Sequence, residues 1–498
     1  MTFEPWASKG TNLTILDWIE GRAAAEAGLI TAEQFAELEA SIMPGSGTCG
    51  AMFTANTMST LAESIGMMLP RGASSPADRG ATSGVHDDVL ANARASVDAL
   101  LHLVDAGIRP RDIMTMQAFE NAITTLYAMG GSTNMFLHVL AVARDAGVPL
   151  TIDHIHDVGS RVPLIANLQP HGPYSMSALH AIGGVPVVMR ELLDHGYLHG
   201  GVMTVTGRTL AENLADAPTL VDLPAQQVVL PVHDPVSAPG NHISVLRGNL
   251  APESCVLKLS GKTLADGRFR GVAKVFESEA DAMAAIRGGD VVTGDVVVVR
   301  NVGPVGAPGM PEMVMLTGQL QGRGLGKEVA LITDGRFSGV SHGIIIGHIS
   351  PEAARGGPIA AVRDGDTIVI DPAARSLDVE LPADELARRL ATWQAPDLSA
   401  RVRPGSVRIV RAPRVERPPR LRPVAASLRS RGRSGSELGG GQPADDRLDG
   451  GAGLEAVDVV PAVGVDLHPG RQAVDDARRH RQRRQGEQGP ASRTGACG

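Results

Sequence analysis

A change of period near residue 240 restricts the fold of this chain more than any other feature. From about residue 11 to 235, apolar residues recur at helical spacing, broken by Gly and Pro. The stretch "NAITTLYAMGGSTNMFLHVLAVARDAG" (121–147) predicts a helix, a glycine break and a second helix, with Ser132 or Thr133 as cap and Gly147 as stop. "SMSALHAIGGVPVVMRELLDHG" (175–196) repeats that logic around a Gly-Gly-x-Pro break. From about 243 to 382 the pattern turns to short β-branched runs: "CVLKLS", "GVAKVFES", "DVVVVRNVG", "VALITD", "DTIVIDP" and "SLDVELP". Gly-Asp and Asp-Gly pairs at 289–290, 294–295 and 364–365 supply turns between them. The expectation is an α/β protein, with a helix-rich α/β domain over 1–240 and a β-barrel-like domain over 241–400.

Residues 401–498 follow neither pattern. They open with "RVRPGSVRIVRAPRVERPPRLRPVAASLRSRGRSG", rich in Arg and free of Lys and aromatics, and predict a disordered tail. Composition then narrows the function. A net charge of −8 argues against nucleic acid as the main partner and for a small-molecule ligand. No apolar run reaches the roughly 18–20 residues of a membrane span, and the N-terminus lacks the basic and apolar regions of a signal peptide. Three scattered cysteines, Cys49, Cys255 and Cys497, make no disulfide framework, so a cytoplasmic location is expected.

Cys49 stands out. In "PGSGTCGAMFTANTM" (44–58) it lies among Gly45, Gly47 and Gly50, at or just before a helix expected to run to about Leu69. The positive end of such a helix favours a thiolate, and the glycines leave room for backbone N–H groups to face an anionic ligand. Packing residue, metal or cluster ligand, and nucleophile all stay open. The absence of any CxxC excludes a metal site built from local cysteines alone. Glu312 taken alone reads as a solvated loop charge and Ser338 as a turn serine. "GRGLGKE" (322–328) fails the phosphate-loop spacing and lacks its Ser/Thr. His138, His342 and His348 form no ligand set by spacing, and read as satisfied or solvent-facing. Cys255 opens a β-run and reads as core.

The same stretch, with "MGGSTNMFLHVLAVA", "AIGGVPVVMRELL", "TVTGRTLAENL", "GNLAPES", "GPVGAPGMPEM", "ALITDGRFSG" and "GHISPEAARGGPIAAVRDGD", resembles the dihydroxy-acid and sugar-acid dehydratase family in collinear order over about residues 1–400. The resemblance implies an N-terminal α/β domain, a C-terminal β-barrel, a homodimer, an iron–sulfur cluster ([2Fe–2S] rather than [4Fe–4S]) and Mg2+. It makes Cys49 the last of three cluster cysteines, Glu312 a magnesium ligand and Ser338 the general base. The implied reaction is loss of water from a 2,3-dihydroxy acid to give a 2-oxo acid. There magnesium holds the substrate carboxylate and C2 oxygen, a cluster iron acts on the C3 hydroxyl, and Ser338 takes the C2 proton. "DGRFSGVSHGIIIGHISPEAARGGPIA" is closer to the branched-chain enzymes than to the sugar-acid ones. It implies 2,3-dihydroxy-3-methylbutanoate and its methylpentanoate homologue as substrates, in valine and isoleucine biosynthesis. Gly201, where the branched-chain enzymes often carry Asp, departs from that pattern.

Two further departures shape the expectation. "MTFEPWASKGTNLTILD" resembles a point well inside the family's first domain. Roughly 140 residues are therefore expected to lack counterparts, including two cluster cysteines and the acidic magnesium ligands. Codons compatible with "RVRPGSVRIVRAPRVER" yield a family-like ending when read one nucleotide later, which predicts a frameshift after about residue 400. A competent dehydratase is accordingly not expected from residues 1–498 alone. An inactive fragment and a ligand-binding remnant are the alternatives, beside a sugar-acid dehydratase.

Overall fold

The structure, a computed structural model, describes residues 13–397 apart from 43–45, 48, 80–81, 260–266 and 342. Gly45, His342, Cys497 and the tail expected over 401–498 therefore lie outside the described residues. Up to residue 240 the described residues are helical, with one short antiparallel pair, β1 (Asp78–Arg79) and β2 (Thr82–Val85). The predicted double helix occurs as Met116–Met129 and Asn134–Ala146. Gly130 stops the first and Gly147 the second, both in the left-handed region. Thr133 holds the cap position without a side-chain bond, and Ser132 before it accepts the Asn134 N–H on Oγ at 3.2 Å. Helix Met116–Met129 is buried almost throughout, from Ala118 to Met129. Helices Thr54–Ser64, Ile152–Gly159 and Val185–Asp194 pack around it, so Phe119, Leu126 and Met129 each contribute about 1.5–3 kcal/mol by burial.

The second half is one eight-stranded mixed sheet. In chain order its strands are β3 (Ile243–Leu246), β4 (Ser254–Leu259), β5 (Phe269–Phe276), β6 (Asp295–Val299), β8 (Ala330–Thr333), β10 (Ile344–Ser350), β11 (Thr367–Asp371) and β12 (Ser376–Val379). Between them lie two-residue strands β7 (Glu312–Met313) and β9 (Arg336–Phe337), which pair in parallel with each other. The large sheet runs β12-β11-β5-β6-β8-β10-β4-β3, parallel in its four central members and antiparallel towards both ends. The chain just beyond β3 bonds to β12: Leu377 N–H donates to the Arg247 carbonyl at 2.8 Å, and Arg247 N–H to the Arg375 carbonyl at 3.0 Å. The sheet is thus nearly closed.

The run "DVVVV" explains the layering. Val296 and Val298 enter one apolar cluster with Leu257, Ile332, Ile346 and Ile368. Val297 and Val299 enter another, beneath helices Glu279–Gly288 and Met315–Gly322. A parallel strand buried on both faces reads as a continuous apolar run, not as an alternation. On β4, Val256 joins the helical core, so the sheet edge and the helical half share one apolar interior. Helix Ile15–Glu26 crosses back onto Met315–Gly322, where a side chain at Gly318 would overlap Ile19. Among the described residues, no helix is long and apolar enough to cross a membrane.

Candidate functional site

Cys49 does not stand at a helix N-terminus. Phe53 caps helix Thr54–Ser64, and the four residues before it make a tight turn. Asn56 Nδ2 ties that turn by donating to the Cys49 and Ala51 carbonyls at 2.5 and 2.6 Å. Met52 N–H donates to the Gln169 carbonyl at 2.9 Å, and the Gly50 carbonyl accepts from Met176 N–H at 2.7 Å. Half-buried Cys49 packs beside Ala51, Phe53 and Val340. Burial pushes its thiol above the ordinary value and the nearby Glu312 carboxylate adds to the rise, with only a backbone hydrogen bond opposing. The expected helix-favoured thiolate is therefore corrected to a neutral thiol in the protein alone, because four residues separate it from the helix and a carboxylate lies nearby. Gly47 answers to backbone geometry instead: its φ is +126°, and a Cβ there would press on Ala77 at 2.9 Å.

Glu312 and Ser338 lie on the paired strands β7 and β9 and the turn that follows. The register places Glu312 opposite Arg336 and Met313 opposite Phe337. Buried Asp334 fixes the approach to this turn, its carboxylate accepting the N–H groups of Asn301, Val302 and Ala353 at 3.0, 3.1 and 2.8 Å. Ser341 N–H then donates to the Ser338 carbonyl at 3.0 Å, closing a turn in which Ser338 is buried. Gly339 permits the decisive approach. A Cβ there would lie 2.5 Å from the Thr54 backbone nitrogen, so only glycine lets the turn reach the start of helix Thr54–Ser64.

Two residues from the helical half knit the corner. Asn134 Nδ2 donates to Glu312 Oε1 at 2.5 Å and to the Phe337 carbonyl at 3.0 Å. Thr54 Oγ1 donates to Glu312 Oε1 at 3.3 Å and accepts the Gly339 N–H at 3.2 Å. Arg336 adds a cation 3.5 Å from the same carboxylate oxygen. Beneath the turn, fully buried Lys258 donates from Nζ to the Gly339 carbonyl at 3.3 Å, and burial lowers its pKa to about 8. His138 and His348 also gather near Arg336, each held below its ordinary value by burial first, His348 at about 4. Among the described residues the ring nitrogens of His348 are fully buried, with the Thr133 backbone as a weak partner.

Cys49, Glu312 and Ser338 thus gather at one corner, where the Cys49 turn, helix Thr54–Ser64 and the β7–β9 pair meet. Sequence reasoning missed Thr54, Asn134, Arg336 and Lys258. The first three sit inside "TANTM", "GGSTN" and "DGRFSG", beside residues those motifs had already drawn attention to.

The likeness to known proteins spans both halves of the described chain. The family described as dihydroxy-acid/6-phosphogluconate dehydratase N-terminal matches residues 3–213, and its C-terminal counterpart matches 227–412. The dihydroxy-acid dehydratase of Leptothrix cholodnii is 47% identical over 396 residues, covering 79% of this chain and 68% of that protein. This decides the family. The chain belongs to the dihydroxy-acid/6-phosphogluconate dehydratases. Dihydroxy-acid dehydratases of Methylococcus capsulatus (48% over 396 residues) and Sulfurisphaera tokodaii (46% over 393 residues) cover the same shares of both chains. Membership makes this dehydratase an enzyme of the hydro-lyase class, acting on dihydroxy acids.

The family implies a metal or iron–sulfur cofactor together with magnesium. Glu312 suits the magnesium: a hard cation takes one or two carboxylates and fills its remaining positions with water and substrate oxygen. The cluster fits less well. Iron–sulfur clusters are held by several thiolates. Of the cysteines, Cys49 stands at the site, whereas Cys255 is fully buried in the sheet core with its thiol on the Leu246 carbonyl at 3.7 Å. One thiol among the described residues does not hold a cluster.

Proposed function

We propose that the Glu312–Ser338 corner removes water from branched 2,3-dihydroxy acids, with 2,3-dihydroxy-3-methylbutanoate and 2,3-dihydroxy-3-methylpentanoate as substrates. The products are 2-oxo acids on the way to valine and isoleucine. The observation that carries this reading is the joining of Glu312 and the Ser338 turn by Thr54 and Asn134 from the helical half. On this reading the site lies at the boundary of a 1–240 domain and a 241–400 barrel-like domain, and these hydrogen bonds support it. Ser338 Oγ takes the C2 proton and passes it to the departing C3 hydroxyl, which leaves as water, and the enol so formed tautomerises to the 2-oxo acid. Serine does this only when its pKa is lowered strongly. Lys258, charged at neutral pH and bonded to the carbonyl of the next residue, supplies a buried positive charge for that purpose.

Glu312 would hold magnesium, which when bound stabilises negative charge developing on the substrate. Thr54 and Asn134 fix the Glu312 carboxylate by hydrogen bonds to Oε1, and Arg336 limits its charge in the free enzyme. No step is assigned to an iron–sulfur cluster, because the described residues offer one thiol at the site. The family supports a homodimer, which light scattering tests. The reaction is tested by 2-oxo acid formation from 2,3-dihydroxy-3-methylbutanoate with added magnesium. Turnover supports the reading, absence of product rejects it, and faster turnover of a sugar acid would move the substrate class.

A further inference from the structure

Away from that corner, three metal-ligating side chains converge from two stretches of the chain. His86 and Asp88 stand at the start of helix Asp87–Ala106, and His180 lies near the end of helix Met176–Ala181. One ligand atom from each lies within 4.8 Å of the other two. His180 is buried, 7% exposed, and fixed from both sides. Its Nδ1 lies 3.3 Å from Ser74 Oγ, and its Nε2 lies 2.8 Å from Asp88 Oδ2. His86 Nδ1 accepts the Asp88 N–H at 3.2 Å, which leaves Nε2 of that ring available. The two imidazoles meet edge to face at 5.8 Å.

The occupant now nearest this cluster is itself a cation. Arg71 places NH2 3.4 Å from Asp88 Oδ2 and 3.4 Å from His180 Nε2, on a side chain that is about half exposed. A guanidinium there marks a spot that favours positive charge, and its exposed stem allows it to swing out. Burial, the largest influence, holds His180 below its ordinary value, so the ring is neutral near pH 7 with a lone pair to offer.

We propose that His86, Asp88 and His180 form a site for a divalent ion of the zinc class, with Arg71 occupying its place until the ion binds. Two imidazoles and one carboxylate suit zinc, whereas magnesium and calcium select oxygen ligands. Ligand atoms about 2.0–2.2 Å from a shared ion lie within roughly 4 Å of one another, so binding draws the three groups slightly together. Ser74 acts as the outer partner that orients His180. His86 and Asp88 are only half-buried, which leaves a coordination position for water. The helix N-terminus opposes the ion weakly, through one solvent-screened dipole against three coordinate bonds.

The full chain, freed of metal with a chelator, is titrated with Zn2+ against a chromophoric competitor, and with Co2+ followed by visible absorption. One ion per chain is expected, with a tetrahedral Co2+ spectrum. His86→Ala and Asp88→Asn, both at the surface, should weaken it by at least about 100-fold, and Ser74→Ala by about 10-fold. Arg71→Ala should tighten it, while Glu312→Gln and Cys49→Ser should leave it unchanged. Circular dichroism confirms that each variant is folded, and the surface variants carry the test because loss of buried His180 endangers the fold. Zinc binding that survives both His86→Ala and Asp88→Asn, or no measurable binding by the wild-type chain, overturns the site.

Discussion

Two cations in the sheet half, one half-buried and one fully buried, meet opposite treatment. Arg389, on helix Ala383–Ala391, is bracketed by Asp366 at 2.6 Å and Glu385 at 2.7 Å, and its side chain also donates to the Ala361 carbonyl. Lys258, fully buried on β4, has among the described residues one long hydrogen bond to a carbonyl. The paired cation is pushed up from its ordinary pKa by its partners, and the lone one is pulled down by burial. Buried charges are normally compensated. The Arg389 corner follows that rule and serves stability. The Lys258 corner breaks it beside Ser338, where the proposed function gives the uncompensated charge its use.

The sharpest challenge to this contrast is Ser338→Ala. Turnover of the dihydroxy acid should fall by roughly 10²–10⁴-fold while the melting temperature stays put. Near-normal rates would remove Ser338 as the base and with it the purpose of the charge below. At the opposite corner Asp366→Ala should leave turnover alone and destabilise by about 1 kcal/mol, since Glu385 still pairs with half-buried Arg389. Chemical denaturation measures this, and a loss of turnover without a loss of stability would invert the contrast.

Lys258→Met should do the reverse, slowing turnover while stabilising the fold at pH 7 by at most about 3 kcal/mol. The pH dependence fixes the sign. Below the folded value of about 8 both folded and unfolded chains carry the proton, and the penalty for burying charge is full. As pH climbs from about 8 to the free lysine value of 10.5, the folded chain has shed a proton that the unfolded chain keeps, so stability rises. The wild-type protein should show this rise in denaturation curves and Lys258→Met should not. A variant that is less stable at pH 7 would mean that the ammonium has a partner after all. The smallest effect is expected of Glu312→Gln, which should raise the magnesium concentration needed for half-maximal activity by about 10-fold, with Asn134 and Thr54 still bonding the amide oxygen. An unchanged magnesium titration would reject Glu312 as the ligand.

The parts that were legible in the sequence are those whose cause is local. Strands β4, β5, β6, β8, β11 and β12 showed as β-branched runs, and both glycine-broken helix pairs showed by period. Strand β10 passed only as part of a likeness, because Gly347 and His348 interrupt its apolar run "IIIGHIS". The two-residue strands β7 and β9 are too short to carry any period. Cys49 misled because Phe53, an apolar residue without a capping oxygen, is where the helix begins. Glu312 and Ser338 were reachable through motif likeness, but their partners were not. Asn134 meets Glu312 across 178 residues and Gly339 meets Thr54 across 285, whereas periodicity is read in windows of about 11–18.

The seating of helix Ile15–Glu26 on Met315–Gly322 has a consequence during synthesis. Its buried Ile19, Ala23 and Ala24 rest on a partner that leaves the ribosome roughly 300 residues later, a wait of about 15–60 s at 5–20 residues per second. Throughout that interval the helix has helix Ala32–Ser41 beside it, with Leu38 against Gly21, but lacks the surface that covers Ile19. The cell must shield that segment, with a chaperone or with provisional contacts that are later exchanged, before the Gly318 groove exists to receive it.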